Sequence, residues 1–180
     1  MRAPWRHGER LGDDRATMDA AYARSIAVHA HAGDRDPDGA PVLAHVARVV
    51  GATPAEAHAI AWLHEVLERG ALTEHELLAA GLSSDELRAL RLITPPTWAR
   101  SDRAYLGHVE LVARAAGSAG RLARTVKAAD LGDGCAHPPA TVGWSPPCAA
   151  GLLRLGAGRD ARRVSDTAAT AVPLSEAGAG

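Results

Sequence analysis

Apolar residues recur along the chain at spacings of three and four, which is the period of a helix that buries one face. The stretch after Pro41 has four such positions on one face: Val42, His45, Val46 and Val49. Proline suits the first position of a helix, and Gly51 would end this one. No convincing alternating strand pattern occurs, so we predict an all-α fold with short connections.

Three further helix starts have the pattern of a capping box, in which Ser or Thr precedes Glu by three positions. The three pairs are Thr53 with Glu56, Thr73 with Glu76, and Ser83 with Glu86. They predict helices from Pro54 to about Arg69, over Glu74–Ala80 and over Asp85–Ile93. Gly70 is a typical stop after the first of them.

Three more helices complete the predicted set. Thr17 can cap one that runs to about His31, and another is predicted from Asp102 to about Ala115. The last runs from Ser118 to about Leu131, and its predicted inner face has four positions: Leu122, Thr125, Val126 and Ala129.

The composition divides the chain into three parts. Residues 1–16 are polar and predicted to be flexible, residues 17–136 form one helical domain, and residues 137–180 are a tail rich in Pro, Gly and Ala. We predict that this tail is disordered, although Leu152–Leu155 is compatible with one helical turn.

The overall composition narrows the possible function classes. A formal net charge of -1 over 180 residues gives no indication of a general nucleic-acid or acidic-membrane binder. The two cysteines form no CxxC pair, which fits a reducing compartment. No apolar run approaches the length of a membrane helix, and the N-terminus has no signal-peptide core. We therefore expect a cytoplasmic protein.

The most informative stretch is the apolar helix that contains His64 and Glu65. Buried ionisable groups are costly unless another group pairs with them or a metal binds them. His45 lies on the apolar face of its own helix, and Asp130 ends the last predicted helix. Two imidazoles and two carboxylates suit Mn²⁺, Fe²⁺, Zn²⁺ or Mg²⁺. Glu68, one turn after His64, could orient or deprotonate a water.

Four ordered blocks resemble the HD-domain metal-dependent phosphohydrolases, and most of all the small bacterial branch related to (p)ppGpp (alarmone) hydrolases. His31–His45 is similar to the HAGQ…GxPYxxHP opening of that family, and Trp62–Arg69 is similar to its LLHDVVED helix. Thr73–Leu90 resembles the following TxxxL…G…V segment, and Val126–Leu131 resembles VKLADL. The resemblance extends over about residues 18–135.

The resemblance implies an HD-type bundle of about six helices that hydrolyses a nucleotide or related phosphate ester. It implies four ligands for a divalent metal, with manganese preferred over iron, zinc or magnesium: His45, His64, Glu65 and Asp130. Glu68 would lie beside the catalytic water, so Glu68 and Glu65 are the candidate catalytic carboxylates. The candidate substrate-binding residues are His31, Lys127 and Arg69. The implied partner is a phosphorylated small molecule, with no membrane or nucleic acid.

The chain also departs from the family pattern, which leaves other functions open. Glu65 replaces the Asp of the name-giving doublet, Arg69 replaces a second acid, and the Asn that ends LADxxxN is Gly134. Asp133 is either a helper of Asp130 or a simple turn residue. The alternative to a hydrolase is a catalytically impaired protein that binds a nucleotide or a protein partner as a regulator. A third possibility is a helical interaction module without metal.

Overall fold

The structure is a computed structural model that describes residues 18–140 and 144–156. Within those ranges it contains helices, one three-residue 3₁₀ turn at Ala55–Ala57 and no strand, which confirms the predicted all-α fold. The labelled helices are α1 (Ala20–Ala30), α2 (Val42–Gly51), α3 (His58–Glu68), α4 (Glu74–Ala79), α5 (Ser84–Ile93), α6 (Asp102–Arg114) and α7 (Gly117–Ala136), and residues 148–156 form a further helical stretch. None of these helices is long and apolar enough to cross a membrane.

Helix α3 is the centre of the bundle. It packs against α1, α2, α5 and α7, and its apolar side chains Ile60, Leu63 and Val66 are almost completely buried. A helix that is apolar on most sides is stable only when other helices surround it. This position places His64 and Glu65 inside the bundle, where α2 and α7 can bring further side chains to them.

The local signals at the middle of the chain are confirmed. Thr73 and Ser83 each form a complete capping box with the predicted Glu, and α4 and α5 begin directly after them. Gly70 follows the C-cap of α3 with a φ of 64°, in the left-handed region that favours glycine. These starts and stops depend only on residues a few positions apart, which explains why the sequence reveals them.

Two predicted helix starts are wrong in detail. Thr53 forms no capping box, because its hydroxyl donates to the Val50 carbonyl at 2.9 Å and completes the end of α2 instead. Pro54 therefore leads into the 3₁₀ turn, and α3 begins only at His58. Similarly, Pro41 is the residue before α2 and not its first residue. At the start of α1 the cap is Asp19, which accepts from the Tyr22 amide, while Thr17 lies outside the described residues.

Helix α7 is longer than predicted, and its most deeply buried face only partly matches the predicted one, because Leu122 and Ala129 are partly buried against the core. It continues past Leu131 to Ala136, and of the four predicted inner positions only Val126 is fully buried. The buried face comprises Ala119, Gly120, Ala123, Val126, Lys127 and Leu131. Small residues are preferred there because α7 lies close to α5 and to the end of α6; a Cβ at Gly120 would lie only 2.1 Å from the Ala115 carbonyl oxygen.

Part of the predicted disordered tail belongs to the bundle. Residues 148–156 are helical, Leu155 is completely buried in the core, and Gly151 lies against the Leu131 side chain. Just before this stretch, the Trp144 indole donates to Asp102 at 2.8 Å. The helical unit therefore extends beyond the predicted boundary at residue 136, while residues 157–180 lie outside the described ranges.

The two interior glycines Gly120 and Gly107 allow a matched test of this packing. Gly120→Ala should destabilise the protein by about 1–3 kcal/mol, because the new Cβ would push α7 away from the Ala115 backbone. Gly107 in α6 has nothing within 4 Å of an added Cβ, so Gly107→Ala should stabilise by about 0.5–1 kcal/mol through helix propensity alone. Urea denaturation of both variants measures the difference, and equal shifts of the same sign would contradict the close approach at Gly120.

Candidate metal centre

Three side chains from two neighbouring helices converge at one point. His45 comes from α2, and His64 and Glu65 come from α3. The two imidazole Nε2 atoms are 3.1 Å apart, and Glu65 Oε1 lies 3.6 Å from His64 Nε2 and 3.9 Å from His45 Nε2. One donor atom from each residue lies within 4.8 Å of the others, so this group could hold a metal ion.

The hydrogen bonds at the other edge of each imidazole favour this use. His64 Nδ1 lies 2.8 Å from the Ala61 carbonyl oxygen, and His45 Nδ1 lies 2.7 Å from Asp133 Oδ2. Both oxygens are acceptors, so each Nδ1 carries a proton and donates it. In the neutral rings the Nε2 lone pairs then point into the same space, which is the usual arrangement for metal-binding histidine.

The spacing of the donor atoms also fits an ion. Two ligand atoms that are each about 2.1 Å from one metal lie about 3.0 Å apart in octahedral and about 3.4 Å apart in tetrahedral geometry. The distance of 3.1 Å between the imidazole nitrogens falls in this range. The Glu65 distances are slightly longer, and a small movement of a flexible side chain would close the difference.

Asp130 joins the group from α7. Its Oδ1 lies 3.4 Å from His45 Nε2, and its Oδ2 accepts from Lys127 Nζ at 2.8 Å. Burial alone would raise the pKa of Asp130, but the charge of Lys127 and the nearby histidines hold it well below its usual range. Asp130 is therefore a carboxylate at any ordinary pH, which suits a ligand.

Lys127 is almost completely buried, and its ammonium lies over the Tyr105 ring, 5.1 Å from the ring centre. Burial lowers its pKa, but the charge and hydrogen bond of Asp130 together with Tyr105 outweigh burial and raise that pKa overall. Lys127 thus neutralises a carboxylate of the centre. Its predicted contact with a substrate phosphate stays a prediction.

Glu65 is shared between the centre and the end of α3. Its Oε1 faces the imidazoles, while its Oε2 accepts from Arg69 Nε at 2.7 Å. Burial raises the pKa of Glu65, but His64 and the bond from Arg69 lower it overall. Arg69, considered from the sequence as a substrate contact, is in the structure the residue that holds Glu65.

Asp133 and Arg48 extend the centre in a way that the sequence analysis did not find. Arg48 Nε and a terminal guanidinium nitrogen donate to the two Asp133 oxygens at 2.6 and 3.0 Å, and Asp133 Oδ2 also accepts from His45. Spacing places each of them one turn after a candidate ligand, since Asp133 follows Asp130 by three positions and Arg48 follows His45 by three, but it does not show that Asp133 and Arg48 meet. Asp133 is thus a residue that orients His45, and not a simple turn residue.

The remaining predicted site residues are Glu68 and His31. Glu68 is the last residue of α3, and part of its side chain is exposed. Desolvation of its carboxyl, with the charges of Glu65 and Asp130, raises the pKa of that group. His31 is buried, and its Nδ1 lies 3.1 Å from Asp34. None of the described hydrogen bonds or ion pairs joins His31 to the centre, so its predicted substrate role is not explained by this geometry.

A search against models of known protein families finds no match to this chain, and no match is found among curated proteins.

The centre should bind metal more tightly as the pH rises. Burial lowers the pKa of His45, but the hydrogen bond and charge of Asp130, with Asp133 and Glu65, raise it to about 9. Burial keeps the pKa of His64 low. Below pH 9 His45 therefore carries a proton on Nε2, directed at His64, and a metal ion must displace it. We expect the apparent Mn²⁺ affinity to rise nearly tenfold per pH unit between about pH 6 and 8.

Calorimetric titration in buffers of different ionisation enthalpy measures both the affinity and the protons released. Asp133→Asn is the matched comparison, because it keeps the shape of the side chain but removes a charge that raises the pKa of His45. It should reduce proton release at neutral pH. An affinity that is constant over this pH range would contradict the proton on His45 Nε2.

Proposed function

We propose that this protein is a metal-dependent phosphohydrolase that acts on a nucleotide or a related phosphate ester. The observation that carries the proposal is the convergence of the two imidazole Nε2 atoms of His45 and His64 with the Glu65 carboxylate. Asp130 Oδ1 lies 3.4 Å from His45 Nε2. The four residues are those that the resemblance to HD-domain phosphohydrolases implies as ligands.

Manganese is the ion that we favour, with iron, zinc and magnesium as alternatives. Imidazole nitrogen together with carboxylate oxygen is a donor set that first-row divalent ions accept well. A divalent ion held here supplies Lewis acidity towards a phosphate oxygen and lowers the pKa of coordinated water. The residues of the protein would hold the ion, orient the groups bound to it and accept protons from water.

The electrostatics of the centre indicate how the ion would help an anionic substrate to bind. Four carboxylates meet in this region, from Glu65, Glu68, Asp130 and Asp133. Arg69, Lys127 and Arg48 each pair with one of them, Arg100 acts on Glu68, and without metal the proton on His45 adds another positive charge. A divalent ion in place of that proton would add one net positive charge, which would strengthen the attraction for phosphate.

Glu68 is the residue that we assign to proton transfer. Desolvation raises the pKa of its carboxyl above the ordinary value, and the like charges of Glu65 and Asp130 raise it further. Lys127 and Arg100 lower this pKa, but their effect is smaller. A carboxylate with a raised pKa accepts a proton from water more readily at neutral pH. Its place one turn after His64 puts it at the open end of α3, where a water can reach it.

A second candidate function is a catalytically impaired protein that binds a nucleotide or a protein partner as a regulator. The bond from Arg69 to Glu65 favours it, because this cation occupies one oxygen of a proposed ligand and opposes a metal charge. Metal binding without turnover would identify this function.

Two variants separate the roles of ligand and base. His64→Ala should remove nearly all bound metal, because it deletes a donor at the centre. Glu68→Gln should keep about one ion per chain but reduce turnover by about 10²–10⁴-fold, as expected for loss of a general base. Glu56→Gln, an exposed carboxylate in the 3₁₀ turn, is the matched control and should change neither.

Metal content is measured by plasma mass spectrometry. Turnover is measured as phosphate release from nucleoside mono-, di- and triphosphates, together with the chromogenic diester bis(p-nitrophenyl) phosphate. A wild-type protein that binds no ion after incubation with each metal would overturn the proposal. Metal binding with no turnover of any substrate would favour the regulator.

Arg69→Gln tests the ion pair that favours the regulator. Because the substitution frees Glu65 Oε2 and removes a positive charge, we expect Mn²⁺ to bind about two- to fivefold more tightly, the scale of one partly exposed ion pair. Arg103→Gln, at an exposed arginine of α6, controls for the change in net charge. Weaker Mn²⁺ binding in Arg69→Gln would mean that Arg69 positions Glu65 for the ion and does not oppose it.

A further inference from the structure

A groove of about 790 Å³ runs between α2 and α7, beside the metal centre. Three arginines line it: Arg48 from α2, and Arg121 and Arg124 from α7. Asp133 is the one carboxylate among its described lining residues, and the rest of the lining consists of alanines, a glycine and Thr125. The groove therefore combines an excess of positive charge with small side chains that leave its interior open.

We propose that this groove is a binding site for a small molecule that carries phosphate groups. Its volume lies in the range of about 300–1,000 Å³ that is usual for small-molecule sites. Guanidinium groups match phosphate oxygens through paired hydrogen bonds, and they stay charged at every physiological pH. Three of them against a single carboxylate favour a ligand with more than one negative charge.

The arginines are placed so that two elements contribute to one site. Arg121, Thr125, Ala128 and Gly132 recur at spacings of three and four, so they form one face of α7. Arg124 donates to the Ala115 carbonyl, which fixes its side chain near the start of that helix. Arg48 approaches from α2 and is 42% exposed at its side chain, so a ligand in the groove can reach it.

Asp133 connects this groove to the metal centre. Its Oδ2 accepts both from Arg48 and from His45 Nδ1, whereas the proposed metal would bind His45 through Nε2, at the other edge of the ring. A phosphate that binds Arg48 competes with Asp133 for the same guanidinium. Occupancy of the groove is then coupled to the orientation of His45 through Asp133, and by linkage a ligand at either place changes affinity at the other.

Pyrophosphate is the probe that tests the site. The full chain is stripped of metal with a chelator, which is then removed by desalting, so that the centre itself holds no ion for the anion to bind. Calorimetric titration should give one pyrophosphate per chain, with an affinity that falls as salt is raised. Arg121→Glu should weaken it by at least about tenfold, because it replaces a phosphate-binding charge with a repelling one.

Two control variants locate the bound anion. Arg88→Glu makes the same charge change at an exposed arginine of α5 outside the groove, and it should leave the affinity nearly unchanged. His64→Ala removes the metal centre and should also leave it nearly unchanged. This last variant keeps the test independent of the proposed function, because the metal can fail to bind while the groove still binds pyrophosphate.

The outcomes are distinct. Equal weakening by Arg121→Glu and Arg88→Glu would mean that only net charge matters, and it would overturn the proposal. Loss of binding in His64→Ala with retention in Arg121→Glu would place the anion at the metal centre and overturn it as well. Adenosine diphosphate is titrated in parallel. Affinity equal to that of pyrophosphate supports a site for phosphates alone, and tighter binding supports a site that also holds the nucleoside.

Discussion

Two neutral imidazole acceptors cannot face each other at 3.1 Å without a cation between them, and this constraint organises the centre of the molecule. The Nδ1 atoms of His45 and His64 are engaged by Asp133 and by the Ala61 carbonyl, so both Nε2 atoms are left to meet inside the bundle. In the absence of metal, a proton on His45 lies between the two Nε2 atoms. The carboxylates of Asp130, Asp133 and Glu65 stabilise that proton and so raise the pKa of His45. The same carboxylates would stabilise a divalent ion. The site is thus built for positive charge, whichever cation supplies it.

The carboxylates of the centre are in turn held by cations that come from the protein. Lys127 binds Asp130, Arg69 binds Glu65, and Arg48 binds Asp133. Such pairs keep the carboxylates ionised although they are partly or fully withdrawn from water. They also connect the centre to its surroundings, since Arg69 lies at the end of α3 and Arg48 lines the groove between α2 and α7.

The two departures from the HD-domain pattern in α3 are physically linked. Glu65 is one methylene longer than the Asp that the resemblance predicts, and Arg69 stands where a second acid is expected. One turn separates the two residues, so the longer carboxylate reaches Arg69 with Oε2 while Oε1 faces the imidazoles. Glu65 and Arg69 therefore act as one unit, in which each Glu65 oxygen has a different partner.

The sequence by itself determined the all-α class, the capping boxes at Thr73 and Ser83, the stop at Gly70, and the choice of His45, His64, Glu65 and Asp130 as one group. The helix class depends on the spacing of apolar positions, and the caps and the stop on bonds between residues a few positions apart. The grouping depends on the resemblance to a known motif, together with the cost of ionisable groups inside apolar helices. Only the tertiary structure decided that Thr53 closes α2, which face of α7 is buried, and that residues 148–156 belong to the core. It alone gave Asp133 and Arg48 their roles, because their bond joins residues 85 positions apart. Contacts of that kind depend on how whole helices pack, and no local pattern encodes them.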